Sequence, residues 1–382
     1  MIKKQTIEYK LVSIIGLAGE IQTEEIYKLK YGKEYIRKTI SKLITRKCIK
    51  VYKFDNKKYL RLTVNCKRYL LENYPERFES LFKGANRTNK IRNEEHRRTR
   101  YHRLGELLIL LDLADIKIFS DEKTFWKKTR GFQEADGTDF TDYSSDKNTA
   151  EFYTATELKS FGLLGNARTS RAMGIIYSYP DVFVMYYFTD KFPKLEYKTE
   201  RSFCFNAGYQ IHYYLRHDNY ARSKIIFIGD SMKIFNGILR DKRKSTEKII
   251  KMNDYDDNVM FLDKSHYGPA QLKCFISERK REERKKNTYD SFGAKDPGRY
   301  TARIPENRTG VADCTTCHPD GIHLIKSLSE GLSIEIDYVY VVCFDFQLAC
   351  IKKYLGDADN ITYYTYDSEK ILGAEDTRWK NI

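Results

Sequence analysis

Two groups of side chains in this sequence have types and spacings that could carry chemistry. The first is Pro180-Asp181, followed after fourteen residues by Glu196-Tyr197-Lys198. Two carboxylates on neighbouring strands can hold a divalent ion, Mg2+ or Mn2+, while a lysine beside them orients or activates water. Asp181, Glu196 and Lys198 are therefore the candidate catalytic residues, with Asp181 and Glu196 as metal ligands and Glu106 as a further carboxylate. The second group is Cys314-Thr315-Thr316-Cys317-His318, with His323 five residues on. Cys314, Cys317 and His323 are ligand types that tetrahedral zinc accepts. Each group has a plainer reading: charged residues on a hairpin form a solvated face, and a single CxxC without a second pair falls in a loop by chance.

The first group needs a sheet to bring it together. Ala172–Tyr177 and Val182–Phe188 read as strands and Leu195–Lys198 as a third, with Asp190-Lys191-Phe192-Pro193 turning between them. On such a strand Glu196, Lys198 and Glu200 alternate and face one side. Ala207–Leu215 and Ser231–Leu239 read as helices and Lys224–Ile228 as an apolar strand. Strands alternating with helices predict an α/β sheet domain. The whole pattern resembles the PD-(D/E)XK nuclease signature, which implies a nuclease-like mixed sheet, either active or without remaining activity. Glu278 to Lys286 carries six basic residues against three acidic ones and no apolar residue. With the glycines and prolines that follow, it predicts an exposed excursion over about 278–313. Order returns over Ile334–Phe346, then a helix at Gln347–Leu355 and a strand at Ile361–Tyr364.

Ahead of that domain, Tyr31 to Thr63 has the layout of a DNA-reading module. Ile36, Ile40, Leu43 and Ile44 take the spacing of one helix face, and Lys33, Arg37, Lys38, Lys42, Arg46 and Lys47 occupy the others. Two short strands follow, joined at Asp55-Asn56-Lys57, residues suited to a tight hairpin. A basic helix and a basic hairpin after two shorter helices predict a winged helix-turn-helix, in which the helix enters a major groove and the wing follows the backbone. Lys33, Arg37, Lys38, Lys42 and Arg46 are the candidate helix contacts, and Lys53, Lys57 and Lys58 those of the wing. Cys66–Phe82 reads as a further helix. Lys83 to Arg103 then holds eight basic residues against two acidic ones, among them Arg97, Arg98, Arg100 and Arg103. This segment predicts a basic linker able to track phosphates, or simply a solvated face. The expected division is 1–82, a linker over 83–103, and 104–382.

The totals agree with a folded, polyanion-binding chain. Of 382 residues, 41% are hydrophobic and 14% aromatic, and the net charge is +15, which favours nucleic acid as a partner. Glu8 and Lys10 interrupt the N-terminal stretch, so it does not read as a signal peptide, and no window approaches the roughly 18 apolar residues of a membrane span. Eight scattered cysteines then read as reduced core residues of a cytoplasmic protein with no membrane partner. No Walker loop is present, so nothing points to ATP-driven remodelling.

In order, the module at residues 31–63, the stretch HRRTRYHRLGELLILLDLADIKIF (96–119), FYTATELK (152–159) and TSRAMGIIYSYPDVFVMYYFTDKFPKLEYKTE (169–200) resemble the replication-relaxation family of plasmids and integrative conjugative elements. The resemblance covers roughly residues 5–240. It implies a mobile-element setting, with double-stranded DNA and other replication or transfer proteins as partners. The expectation is a DNA-binding protein acting at an origin of replication or transfer, with an inactive nuclease-like platform. The rivals are a metal-dependent endonuclease and a transcriptional regulator. A homodimer is compatible with either.

Overall fold

The computed structural model describes residues 2–82, 94–123, 149–160, 170–189, 192, 195–215, 223–240, 259–298, 300–331 and 335–373. The chain is mixed α/β and divides into two compact units, Met1–Gly162 and Leu163–Ile382.

In the first unit, α1 (Ile7–Ala18) starts where the Thr6 side chain accepts the Tyr9 N–H, a capping bond that satisfies an orphan donor. A short β1 (Ile21–Gln22) and α2 (Thr23–Ile26) lead to α3 (Lys33–Thr45). Ile36, Thr39, Ile40 and Leu43 form the buried side of α3, while Ile44 stays exposed. Strands β2 (Ile49–Phe54) and β3 (Lys57–Leu62) pair antiparallel, and β1 joins on the other side of β3, giving the order β1-β3-β2. The turn residues Asp55 and Asn56 both have left-handed φ, +47° and +58°, the backbone that a two-residue hairpin turn requires.

The expected helix over Cys66–Phe82 is two helices, α4 (Val64–Asn73) and α5 (Pro75–Phe78). Pro75 crowds Tyr74 out of the helical region, to φ −141° and ψ 55°, and restarts the chain at a first helical position. Helix α6 (Glu94–Leu113) runs without interruption across the division expected at 103/104. Its Leu107, Leu108 and Leu111 are buried, and it packs on α1 and β1. Residues 83–93, the rest of the expected linker, lie outside the described residues. Lys117 bridges Glu151 of β4 (Glu151–Thr154), which is followed by α7 (Ala155–Ser160).

In the second unit, β5 (Gly174–Ser178) and β6 (Asp181–Phe188) pair antiparallel, and β7 (Lys224–Gly229) and β8 (Val259–Asp263) continue parallel to β6. All eight residues of β6 are buried, as expected of a strand covered on both faces. The expected third strand, Leu195–Lys198, is instead the approach to α8 (Tyr197–Leu215). Phe203, Cys204 and Ala207 are buried along that helix. The Glu196, Lys198, Glu200 alternation that reads as a strand lies beside this helical spacing, and the helical period wins because it buries an apolar side against β6. Of the expected turn, residues 190, 191 and 193 lie outside the described residues.

Helices α9 (Met232–Leu239) and α10 (Gly268–Ile276) follow β7 and β8. The expected excursion over 278–313 is also corrected. It forms α11 (Glu278–Ser291) and then β9 (Thr301–Ile304) and β10 (Thr309–Asp313), which with β11 (Tyr338–Phe344) and β12 (Ile361–Tyr366) make a second sheet of order β12-β11-β10-β9. Strands β10, β11 and β12 are parallel, and α12 (Pro319–Ser329), α13 (Asp345–Leu355) and α14 (Ser368–Ile371) accompany them. Helix α11 is almost wholly polar yet held, because Tyr289 packs into a core with Ala302, Ile304, Val311 and Val342. The loop after β10 reaches the sheet that contains β8, where Phe261 N–H donates to the Thr316 carbonyl at 3.1 Å.

Candidate nucleic-acid interface and the placement of the charged residues

Because the apolar side of α3 faces the core, Lys33, Arg37, Lys38 and Lys42 stand on its exposed side, together with Tyr35, 57% exposed. Lys33 Nζ sits 5.4 Å above the Tyr27 ring. Arg37 pairs with Glu34 at 2.7 Å, and this contact lowers the Glu34 carboxyl and raises the guanidinium. Lys42 and Arg46 share Glu8 of α1, at 2.5 and 3.0 Å. Pairs whose cation is this exposed contribute little, so a phosphate can compete for the cations.

The hairpin is arranged differently. Lys53 of β2 stands directly opposite Lys58 of β3, and Lys57 follows the turn. All three are exposed, and among the described residues none of them makes an ion pair. Like charges directly opposite each other weaken a hairpin; a polyanion lying along it would relieve that repulsion.

Helix α6 braces this hairpin. Arg98 lies 4.8 Å over the Phe54 ring, and His102 stacks on Tyr59 with ring centres 3.9 Å apart. Both reach the fully buried Glu20, His102 Nε2 at 2.7 Å and Arg98 Nε at 3.3 Å, and Arg61 pairs with the same carboxylate. Burial alone would raise the Glu20 carboxyl; the hydrogen bond from His102 and the two guanidinium charges outweigh it, leaving the group below its ordinary value. Arg98 is therefore a buried brace and not a surface contact, which corrects its expected role. Arg97 and Arg100 are exposed and Arg103 is half-buried.

The expected catalytic residues of the second unit are not brought together. Asp181 opens β6, is only 5% exposed, and accepts from Lys224 Nζ at 2.5 Å and Arg281 Nη2 at 2.8 Å. Glu196 and Lys198 follow the far end of that eight-residue strand and are exposed. The Glu196 carbonyl accepts the Glu200 N–H, and the Glu200 carboxylate in turn accepts from Tyr186 Oη, which sets Glu196 towards the end of β6 opposite Asp181. Glu196 stands just before the first turn of α8, where the helix dipole favours a carboxylate, and it accepts from Thr199 Oγ1. Glu200 is the buried acid of this region. It accepts from Ser170 Oγ at 2.6 Å, Tyr186 Oη at 2.8 Å and the Arg171 N–H at 3.0 Å, and so ties α8 to β6. Glu106 lies on α6 of the first unit.

The cysteine group is equally occupied. Cys314 and Cys317 are buried, and burial, followed by neighbouring thiols, pushes both well above the usual thiol range. His318 Nδ1 accepts the Gly321 N–H and caps α12, and His323 Nδ1 lies 2.6 Å from Tyr354 Oη. Among the described residues no group of three or more His, Cys, Asp or Glu side chains could hold a metal ion. Nor is any described helix long and apolar enough to cross a membrane.

Sequence reasoning missed the partners of Asp181. Lys224 reads only as the first residue of an apolar strand, and Arg281 as one charge in a run. The legible signal was the spacing of Arg281, Lys285 and Tyr289 on one face of a helix, in a segment that otherwise reads as loop. The chain matches no family model, no curated protein and no solved structure.

Proposed function

We propose that the chain binds double-stranded DNA through its first unit, used as a winged helix-turn-helix. In this reading α3 enters a major groove and presents Lys33, Arg37, Lys38 and Lys42, while the β2–β3 hairpin is the wing and follows the backbone with Lys53, Lys57 and Lys58. The observation that carries the reading is the Lys53–Lys58 cross-strand pair with Lys57 beside it, cations placed face to face with no carboxylate between them. The buried Glu20 cluster supports it further by fixing the hairpin against α6.

The resemblance to the replication-relaxation family favours action at an origin of replication or transfer of a plasmid or integrative conjugative element, beside other proteins of that process. The second unit then serves as a platform of nuclease-like type that does not cut. The pairing of Asp181 with Lys224 and Arg281, at the opposite end of β6 from Glu196, favours this over an endonuclease.

Fluorescence anisotropy on a short duplex of random sequence tests the reading. Affinity should fall steeply with salt, and Lys53→Ala/Lys57→Ala/Lys58→Ala should flatten the slope of log K against log salt by about 0.9 for each phosphate that the protein no longer neutralises. A salt-independent affinity, or a slope unchanged in the triple variant, would overturn it.

A further inference from the structure

The ion pairs around Asp181 lie beside a cleft of about 220 Å3 inside the second unit. Lys224 enters it from the start of β7, Arg281, Arg284, Lys285 and Tyr289 from one side of α11, and Thr315 from the loop after β10. The volume is below the roughly 300–1,000 Å3 usual for drug-sized ligands, and suits a small, highly charged group.

Lys224 and Arg281 are each 14% exposed in their side chains and share the carboxylate of Asp181. Burial, then the neighbouring Arg281, lowers the Lys224 ammonium, against Asp181 and Glu278, which raise it. Arg284 and Lys285 are half-buried beside them. Of the carboxylates in the lining, Glu278 and Glu282 are exposed at the rim, while Asp313 is half-buried and its Oδ1 accepts the Thr315 N–H at 2.9 Å.

Two hydroxyl residues of the lining, Tyr289 and Thr315, are buried. Tyr289 is 5% exposed and Thr315 fully buried, and neither Tyr289 Oη nor Thr315 Oγ1 has a hydrogen-bond partner among the described residues. Buried hydroxyls without a partner are uncommon and costly. A group that supplies several acceptor oxygens and negative charge would satisfy both them and the cations.

We propose that this cleft is a binding site for a phosphate group, presented as a phosphomonoester or as free phosphate. A carboxylate offers two oxygens, whereas a terminal phosphate offers three strong acceptors and close to two charges. That matches a site with two guanidinium groups, two ammonium groups and two orphan hydroxyls. Arginine also binds phosphate oxygens in a paired geometry. The source is a small phosphate-bearing metabolite or the 5′-phosphate of a DNA end, and the inference is independent of the DNA reading above.

Calorimetric titration of the full chain decides it, with inorganic phosphate, thymidine 5′-monophosphate and thymidine as small probes. Short duplexes with and without a 5′-phosphate form a second arm, run on a Lys53→Ala/Lys57→Ala/Lys58→Ala background to suppress binding through the hairpin. Saturable binding of a phosphate-bearing probe over its phosphate-free partner is expected. A preference for the mononucleotide or for inorganic phosphate identifies a small ligand, and a preference for the phosphorylated duplex identifies a DNA end. Tyr289→Phe and Thr315→Val, which remove only the unpaired oxygens, should each weaken binding about tenfold without lowering the melting temperature of the free protein. Arg284→Gln should weaken it more. Absence of binding by every phosphate-bearing probe at millimolar concentration, or equal affinity in Tyr289→Phe, Thr315→Val and Arg284→Gln, overturns the proposal.

Discussion

Glu20 shows how one buried side chain can hold several elements in place. It precedes β1, yet its carboxylate meets Arg61 of β3 and Arg98 and His102 of α6. The side chains of Arg61 and Arg98 are only 6% and 10% exposed, so removing the carboxylate strands two cations away from water. Glu20→Gln should cost about 3–5 kcal/mol at neutral pH, the usual penalty for breaking a buried pair on one side. The sign with pH follows from the depressed carboxyl. Below its folded value the group is protonated in both states and contributes nothing; above the ordinary 4.5 its contribution is complete. Acidification through that window should therefore lower the melting temperature of the wild type more steeply than that of Glu20→Gln. Parallel curves would show that Glu20 does not carry the acid sensitivity. None of this was legible in the sequence, where Glu20 is one acidic residue between Gly19 and Ile21. Its role depends on partners 41 and 82 residues away, and local pattern does not reveal them.

At the scale of elements, legibility followed whether a segment's apolar spacing had a single reading. Helix α3 and the hairpin were plain, because Ile36, Ile40 and Leu43 fit only a helical period and Asp55-Asn56 suits only a tight turn. Residues 195–200 read as a strand from their alternating charges, and burial of Phe203 and Cys204 decided for the helix. Over 278–313 the charge run hid an ordered helix whose few apolar anchors, chiefly Tyr289, sit at its end. Glycine gave a third kind of signal, visible only from the fold. Gly105 of α6 meets β1 so closely that an added Cβ would lie 2.8 Å from Ile21 Cγ1. Alanine is ordinarily the better helix former, by about 1 kcal/mol. Here the overlap should prevail, and Gly105→Ala should destabilise the first unit by about 1–3 kcal/mol. Denaturant unfolding checks it, and a stabilised variant would mean that α6 and β1 are less closely packed than the structure has them.

For the whole molecule the question is how a chain of net charge +15 uses its cations. Its cations are used in two ways. On α3 and the hairpin they stand exposed, in weak pairs or unpaired, available to a long polyanion. Around Asp181 they are buried and committed: a divalent ion at that carboxylate would have to displace Lys224 and Arg281 together, and the second carboxylate of the expected pair stands at the other end of β6. The proposed function therefore has the chain binding without cutting. In a nicking assay on supercoiled plasmid with Mg2+ or Mn2+, the wild type should produce no more open circles than Asp181→Ala, while both still retard the duplex. Asp181→Ala leaves two buried cations unneutralised, so a binding measurement on the same preparation is needed to show that the variant is folded. Metal-dependent nicking by the wild type that disappears in a DNA-binding Asp181→Ala preparation would defeat this view. It would mean that the Lys224–Asp181–Arg281 pairing opens when DNA and metal arrive, and that the cleft beside it belongs to the cutting machinery.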